Sequence, residues 1–269
     1  MTPHSSDRSS RVAAWMSALE SRHLADLRVA EVTRALRALS SAYVERRHKV
    51  ASGSTLDSAG KRAAFALYYG PLHFLATTHV LAQLEAAVPS RIVDLGCGTG
   101  VVGAAWALGA AEARVSLTSI DRHPWAVEET RRTYRDLGLV GQAHTGDVTR
   151  LPSVRDADAM VAGYVLNELP DIARRQLEDQ LLERAAAGTG VLIMEPIARG
   201  VAPWWDALAS RFLAAGARAD EWRFQPEVPE VVATLGKAAG LNFREVRLRT
   251  LYAGPLAASS KARSSRSST

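Results

Sequence analysis

Arg91-Ile92-Val93-Asp94-Leu95-Gly96-Cys97-Gly98-Thr99-Gly100 is the stretch that decides how this chain is read: a β-rich apolar run holding one acid, then three alternating glycines. The run predicts a buried strand over 92–95, and the glycines predict a sharp turn into a helix that starts near Gly100. Without Cβ atoms, the backbone of such a turn can approach a ligand closely. The stretch therefore reads as a ligand-binding turn, with Asp94 placed at the end of its strand.

Two cofactors suit a turn of this kind. Gly98, Gly100 and Gly103 satisfy the G-x-G-x-x-G spacing of dinucleotide-binding proteins, with Asp121 in reach as a ribose ligand. In that case, however, an all-apolar strand precedes the glycines and a pyrophosphate sits at the helix N-terminus. Here a carboxylate lies two residues before Gly96, and it would repel phosphate while attracting a cation or a hydrogen-bond donor. S-adenosylmethionine (SAM) carries an ammonium and a sulfonium and no phosphate, so it suits the turn better.

Outward from this point the chain alternates strand and helix, which predicts a parallel sheet covered by helices on both faces. Strands are expected at 115–120, 140–145, 159–164 and 191–194, with helices from Pro124 to near Gly138, over 171–187 and over 203–215. Residues 241–252 alternate apolar and charged side chains, as an antiparallel edge does. Before the motif, Ala25, Val29, Val32, Leu36, Leu39 and Tyr43 form one face of a long helix or of two. Ser52-Gly53-Ser54 reads as a linker, and Ser54 with Asp57 as a capping box. The next helix should break at Gly70-Pro71 and restart towards Val88. The expected organisation is a disordered 1–10, a helical lid over 11–88, the main domain over 89–256 and a disordered basic tail over 257–269.

The 269 residues, 47% of them hydrophobic, can bury one large core plus an appendage. Cys97 is the single cysteine, which excludes an internal disulfide framework and a cysteine-built metal cluster and accords with a cytoplasmic setting. No signal-peptide core and no run of about 18 apolar residues is present, so no membrane role is expected. The net charge of +5 is peripheral: residues 1–50 hold nine Lys/Arg against five Asp/Glu, and residues 51–256 hold 21 against 23. An acidic body favours a small-molecule acceptor over RNA, whose enzymes surround the cleft with basic residues.

In an open α/β sheet, ligands bind beyond the carboxyl ends of the strands. Asp94, Asp121, Asp147, Tyr164 and Glu195 all fall there, so they should face one crevice. At this point Val93-Asp94-Leu95-Gly96-Cys97-Gly98-Thr99-Gly100 resembles the first motif of the class I SAM-dependent methyltransferases nearly letter for letter. The resemblance implies a Rossmann-like, doubly wound, mostly parallel seven-stranded sheet with an antiparallel edge strand and an N-terminal helical extension. It further implies SAM as cofactor, with Asp94 and the backbone of Gly96, Cys97, Gly98 and Gly100 on its methionine part. Asp121 with Arg122 would take the ribose and Asp147 with Val148 the adenine, and Gly163 and Tyr69 would complete the site. His73 stands near Tyr69 at the helix break.

The run Gly163-Tyr164-Val165-Leu166-Asn167-Glu168-Leu169-Pro170 falls where the superfamily faces the methyl group and its acceptor. It lacks the Asn/Asp-Pro-Pro-aromatic signature of enzymes acting on exocyclic amino groups of bases. No cysteine is free to activate a pyrimidine ring. Transfer to an oxygen or nitrogen nucleophile remains, with Asn167, Glu168 and Tyr164 as catalytic candidates, His73 and Glu195 as further bases by location, and Trp204 and Trp205 as acceptor walls.

Three segments, 62–74, 163–171 and 191–196, together resemble the methyltransferase-like proteins of the small ribosomal subunit. The cysteine cluster common in that branch is absent here. The leading expectation is methylation of a small molecule; the alternatives are a ribosomal RNA methyltransferase, a ribosome-associated assembly factor that keeps the SAM fold as a binding module, and an NAD-dependent oxidoreductase.

Overall fold

The computed structural model describes residues 3–45, 56–110, 114–150, 157–197 and 202–257. Ser52 to Ser54, and with them the expected linker and capping box, lie outside the described residues, as does all of the basic tail beyond residue 257. Ser58 caps the next helix instead, its side chain accepting from Lys61 N–H.

Seven strands, β1 (Arg91–Leu95), β2 (Ser116–Asp121), β3 (Val140–Thr145), β4 (Ala159–Gly163), β5 (Gly190–Pro196), β6 (Arg218–Phe224) and β7 (Val246–Ala253), form one sheet in the order β3-β2-β1-β4-β5-β7-β6. The first five run parallel. β7 runs antiparallel to both β5 and β6, so the expected antiparallel edge is present, with the reversed strand one place in from the rim. β4 and β5 are buried almost throughout and β6 is largely exposed, as central and edge strands differ. The order reverses between β1 and β4, and that switch point opens the crevice beyond the carboxyl ends of β1, β2 and β4.

Helices α5 (Val101–Ala107), α6 (Pro124–Asp136), α7 (Asp171–Ala186), α8 (Trp205–Ala214) and α9 (Glu230–Ala239) cover the sheet, after α1 (Pro3–His23), α2 (Val29–Glu45), α3 (Ala59–Ala64) and α4 (Gly70–Gln83). Residues 3–10, expected to be disordered, are the opening turns of α1. The long amphipathic face divides between α1 and α2 and buries Trp15, Met16, Leu19, Val32, Leu36 and Leu39, whereas Ala25 lies in the break and Val29 is exposed. Of these, Trp15, Met16, Leu19, Val32 and Leu36 join the apolar cluster that continues through Phe74 and Val80 to Ile92, Leu117 and Leu192 of the sheet. The helical segment thus shares a core with the body, each large side chain contributing about 1.5–3 kcal/mol by its burial. Arg22 and His23 of α1 both reach the buried Glu129 of α6, at 2.8 and 3.0 Å, and Arg22 also reaches Asp136 at 3.2 Å.

Gly70-Pro71 does not break the helix. Between α3 and α4 the chain passes through a π-helical turn, Phe65–Tyr69, in which Gly70 N–H reaches Phe65 O. This wider register accommodates a proline that lacks an N–H. It also lays the backbone against the motif loop, where a Cβ on Gly70 would sit 3.2 Å from Thr99 Oγ1.

Candidate active site

At the switch point lies a cleft of about 750 Å³, floored by the turn after β1, flanked by the ends of β2, β3 and β4, and roofed by the π-helical turn. Gly96, Gly98 and Gly100 all hold positive φ (67°, 55° and 73°). At Gly96 the need for glycine is also spatial, because a Cβ would come within 2.3 Å of Val165 Cγ2. At Gly98 a Cβ would meet Phe65 Cε1 at 3.2 Å. The turn is therefore clamped between the roof and the loop after β4.

Its N–H groups are largely spoken for. Gly96 and Cys97 donate to Ile120 O, Gly100 donates to Cys97 O, Gly98 donates to Asp121 Oδ2 at 2.9 Å and Gly103 to Asp94 Oδ2 at 3.0 Å. A pyrophosphate would find the donors at residues 98, 100 and 103 already used, and two carboxylates beside them. Asp121 accepts a second backbone bond, from His123 N–H at 2.8 Å, and burial still holds its pKa above the ordinary carboxylate range.

The structure brings most of the expected residues together. Tyr69, Gly96, Cys97, Gly98, Asp121, Arg122, Asp147, Val148, Gly163, Tyr164, Asn167 and Glu168 all line the cleft, as does His73. Asp147 both lines it and shapes its turn, with Oδ1 accepting from Thr149 N–H and Oγ1. Two expected cofactor ligands are off the wall. Asp94 is 1% exposed behind the loop, where it ties β1 to α5 through Gly103, and burial lifts its carboxyl to about pKa 7. Gly100 is packed against Thr130 and Tyr134. The Cys97 thiol is buried against Thr130 Oγ1, and burial raises its pKa.

Glu195 is an anchor, not a base in the cleft. Its Oε1 accepts from Leu166 N–H at 2.9 Å and Asn167 N–H at 3.3 Å, and its Oε2 accepts from the Asn167 side-chain amide. It is fully buried, and burial raises its pKa to about 7. Three donors on one carboxylate fix the short 3₁₀ turn Leu166–Glu168 from behind. In front of it, Tyr164 is held at φ 63°, a conformation costing about 1–2 kcal/mol outside glycine. Its N–H extends the β4–β5 ladder to Met194 O, and its ring stacks on His73 at 3.8 Å and 13°. Burial drives the His73 pKa down to about 3, so the imidazole is neutral.

Trp204 and Trp205 wall no acceptor pocket: they lie under the guanidinium groups of Arg174 and Arg249, at 4.8 and 4.5 Å. Sequence reasoning missed Phe65, Thr99 and His123 on the cleft wall. Thr99 was visible within the motif itself; its hydroxyl is buried and has no hydrogen-bond partner among the described residues. Among those residues, too, no group of three His, Cys, Asp or Glu is placed to hold a metal, and no helix is long and apolar enough to cross a membrane.

Residues 75–163 match the family model "Methyltransferase small domain". Curated relatives include "Ribosomal RNA small subunit methyltransferase C" of Actinobacillus pleuropneumoniae serotype 5b (strain L20), 32% identical over 125 residues covering 45% of this chain and 36% of that one. The same-named protein of Haemophilus influenzae (strain PittGG) is 32% identical over 72 residues, 27% of this chain and 21% of the relative. This chain thus spans only about a fifth to a third of the length of these two curated relatives. Among solved structures, the N-methyltransferase NodS from Bradyrhizobium japonicum WM9, in complex with S-adenosyl-l-homocysteine, is similar at TM-score 0.47 and 17% identity, over 69% of this chain and 89% of that one. The [4+2]-cyclase SpnF is similar at TM-score 0.47 and 17% identity, over 68% and 82%.

Proposed function

We propose that this chain, a member of the class I SAM-dependent methyltransferase superfamily, is a cytoplasmic enzyme that transfers a methyl group from SAM to an oxygen or nitrogen nucleophile of a small-molecule acceptor. One observation carries the choice of cofactor: the glycine-turn donors that a dinucleotide would need are paired internally, Gly98 N–H to Asp121 and Gly103 N–H to Asp94. What such a turn leaves for a ligand is close backbone approach and negative charge, which suit a sulfonium and an ammonium. The buried Thr99 hydroxyl, without a partner among the described residues, is a polar group that a ligand's methionine end would satisfy.

In this reading Gly96, Cys97, Gly98 and Thr99 hold the methionine part, with Tyr69 above them. Asp121 keeps a lone pair on each oxygen beyond its two backbone bonds and takes the ribose hydroxyls. Asp147 and Val148 flank the adenine. SAM bound here supplies an electrophilic methyl carbon on a cationic sulfur. The chain's own task is then to aim a nucleophile, exclude water and take up a proton. Glu195 and Asn167 hold the loop after β4, and Glu168 and Tyr164 face the acceptor.

A second reading, methylation of ribosomal RNA, draws on the names of the curated relatives. Against it stand the absence of an Asn/Asp-Pro-Pro-aromatic run in 163–170 and the scarcity of basic residues on the cleft, whose described wall has Arg122 as its only Lys or Arg. Methyl-labelled SAM, incubated with the chain and a lysate prepared without it, separates the two. Label in soluble small molecules is expected. Acid-precipitable label that nuclease removes would overturn the small-molecule reading in favour of RNA.

A further inference from the structure

The cleft has two ends with different polar character, and the end away from the glycine turn identifies the kind of acceptor it takes. Its wall there is formed by His73, Tyr164, Asn167, Glu168, Pro170 and Pro196. The Asn167 amide spends its N–H groups on Glu195 Oε2 and, at 3.5 Å, on Tyr164 O. That leaves Oδ1, a pure acceptor, for other partners. Glu168 adds a carboxyl that makes no hydrogen bond or ion pair among the described residues, although it faces Asp121 and Arg122 after β2 and Glu195 on β5. His73 is uncharged. Together with Tyr164 it presents a stacked aromatic pair that continues through Tyr69, whose ring is 6.0 Å from His73. Arg122, the one arginine or lysine on the described wall, belongs to the ribose end beside Asp121. The acceptor end therefore offers oxygen acceptors, a carboxyl without a hydrogen-bond or ion-pair partner among the described residues, and aromatic faces. That combination solvates N–H donors and positive charge and repels carboxylates and phosphates.

We infer that the methyl acceptor is a small primary or secondary amine that arrives as its ammonium ion, with Asn167 Oδ1 and Glu168 receiving its N–H groups and Glu168 taking the proton. The inference rests on the methyl-transfer reading above. In the reaction the ammonium gives one proton to the Glu168 carboxylate, which frees the nitrogen lone pair. The N–C bond to the methyl carbon forms as the C–S bond breaks, and the broken bond's electron pair stays on sulfur. The product is the methylated ammonium, neutral thioether and protonated Glu168, which returns its proton to water. Burial and the nearby carboxylates of Asp121 and Glu195 raise Glu168 to about pKa 8, which matches it to an ammonium far better than an ordinary carboxylate would be.

The test is calorimetric titration of the full chain saturated with S-adenosylhomocysteine, using three probes that share one body: 2-phenylethylamine, 2-phenylethanol and 3-phenylpropionate. The amine is expected to bind at least ~10-fold more tightly than the alcohol, equivalent to about 1.4 kcal/mol, and the carboxylate not at all. In Glu168→Gln the amine should lose at least ~10-fold while the alcohol and S-adenosylhomocysteine bind as before. In the wild-type chain amine affinity should rise with pH towards about 8, and in Glu168→Gln that rise should be absent. Preference for the alcohol or the carboxylate, or an amine affinity unchanged by Glu168→Gln, would overturn the amine assignment while leaving the cofactor site standing. Failure of S-adenosylhomocysteine itself to bind would instead bring down the parent reading and this one with it.

Discussion

The turn after β1 and the loop after β4 meet across the same cleft and are built in opposite ways. In the turn, polar groups are satisfied within a few residues or by the next strand: Gly96 and Cys97 on Ile120, Gly98 on Asp121, Gly100 on Cys97. It is set before any ligand arrives. In the loop, Tyr164 sits at an unfavourable φ, Glu168 has no hydrogen-bond or ion-pair partner among the described residues, and order comes from Glu195, 28 or 29 residues further along the chain. One side is a preformed cradle, and the other holds reactive groups in place by a single buried carboxylate. Binding and chemistry in this cleft therefore rest on different supports.

The largest effect should come from breaking the cradle. Gly96→Ala places a Cβ 2.3 Å from Val165 Cγ2 at φ 67°, so strain and displacement together should cost about 2–4 kcal/mol, or roughly 30- to 1,000-fold in SAM affinity by calorimetry. Circular dichroism should report a folded sheet. Asp121→Ala leaves two partly buried backbone donors unpaired, at about 1 kcal/mol each, and should weaken SAM binding by at least ~10-fold.

Glu195→Gln should separate the two halves. It replaces an acceptor oxygen with a donor facing N–H groups, so turnover should drop by about 10-fold, equivalent to about 1.4 kcal/mol, with SAM affinity unchanged; a matching loss of SAM affinity would deny that the supports are separate. It also carries a pH signature. A carboxyl whose folded pKa is raised stabilises fully below its unfolded value of about 4.3 and loses that contribution as pH rises through the folded value of about 7. Thermal stability of the wild-type chain should therefore decline from about pH 5 to 7.5. The decline should be shallower in Glu195→Gln and persist in part through Asp94, which titrates over the same window.

The smallest effect on the site should come from Arg22→Ala. It strips one partner from Glu129, which is 1% exposed, and should lower stability by about 1–3 kcal/mol in denaturant titration while barely changing SAM affinity.

How much of this was legible in the sequence follows the same division. The cradle is encoded locally, in glycine spacing and in acids at strand ends, so Asp121, Asp147 and the turn were readable directly. What the spacing did not reveal is direction: Asp94 stands at the expected strand end, but its carboxylate accepts from Gly103 N–H behind the loop. The loop after β4 was located, but its mechanics were not, because the bond from Glu195 to Asn167 spans distant sequence and leaves no local pattern. The lid shows both outcomes. Its apolar spacing was visible, but the π-helical turn that carries Phe65 and Tyr69 over the cleft arises from packing on the motif loop, and Gly70-Pro71 read locally as a break. β6 and α9 went unread because the first holds only Ala219, Trp222 and Phe224 among charges, and the second lies between two strands that also went unmarked or were misplaced at their start.

The glycine turn, with its donors already paired and Asp121 at its side, is suited to a phosphate-free cation. Calorimetric titration of the wild-type chain with SAM, S-adenosylhomocysteine and NADH tests it most directly. Saturable binding of SAM and S-adenosylhomocysteine is expected, weakened at least ~10-fold in Asp121→Ala, with no binding of NADH; saturable NADH binding, or SAM affinity indifferent to Asp121→Ala, would rule out a phosphate-free cation as the ligand of this turn.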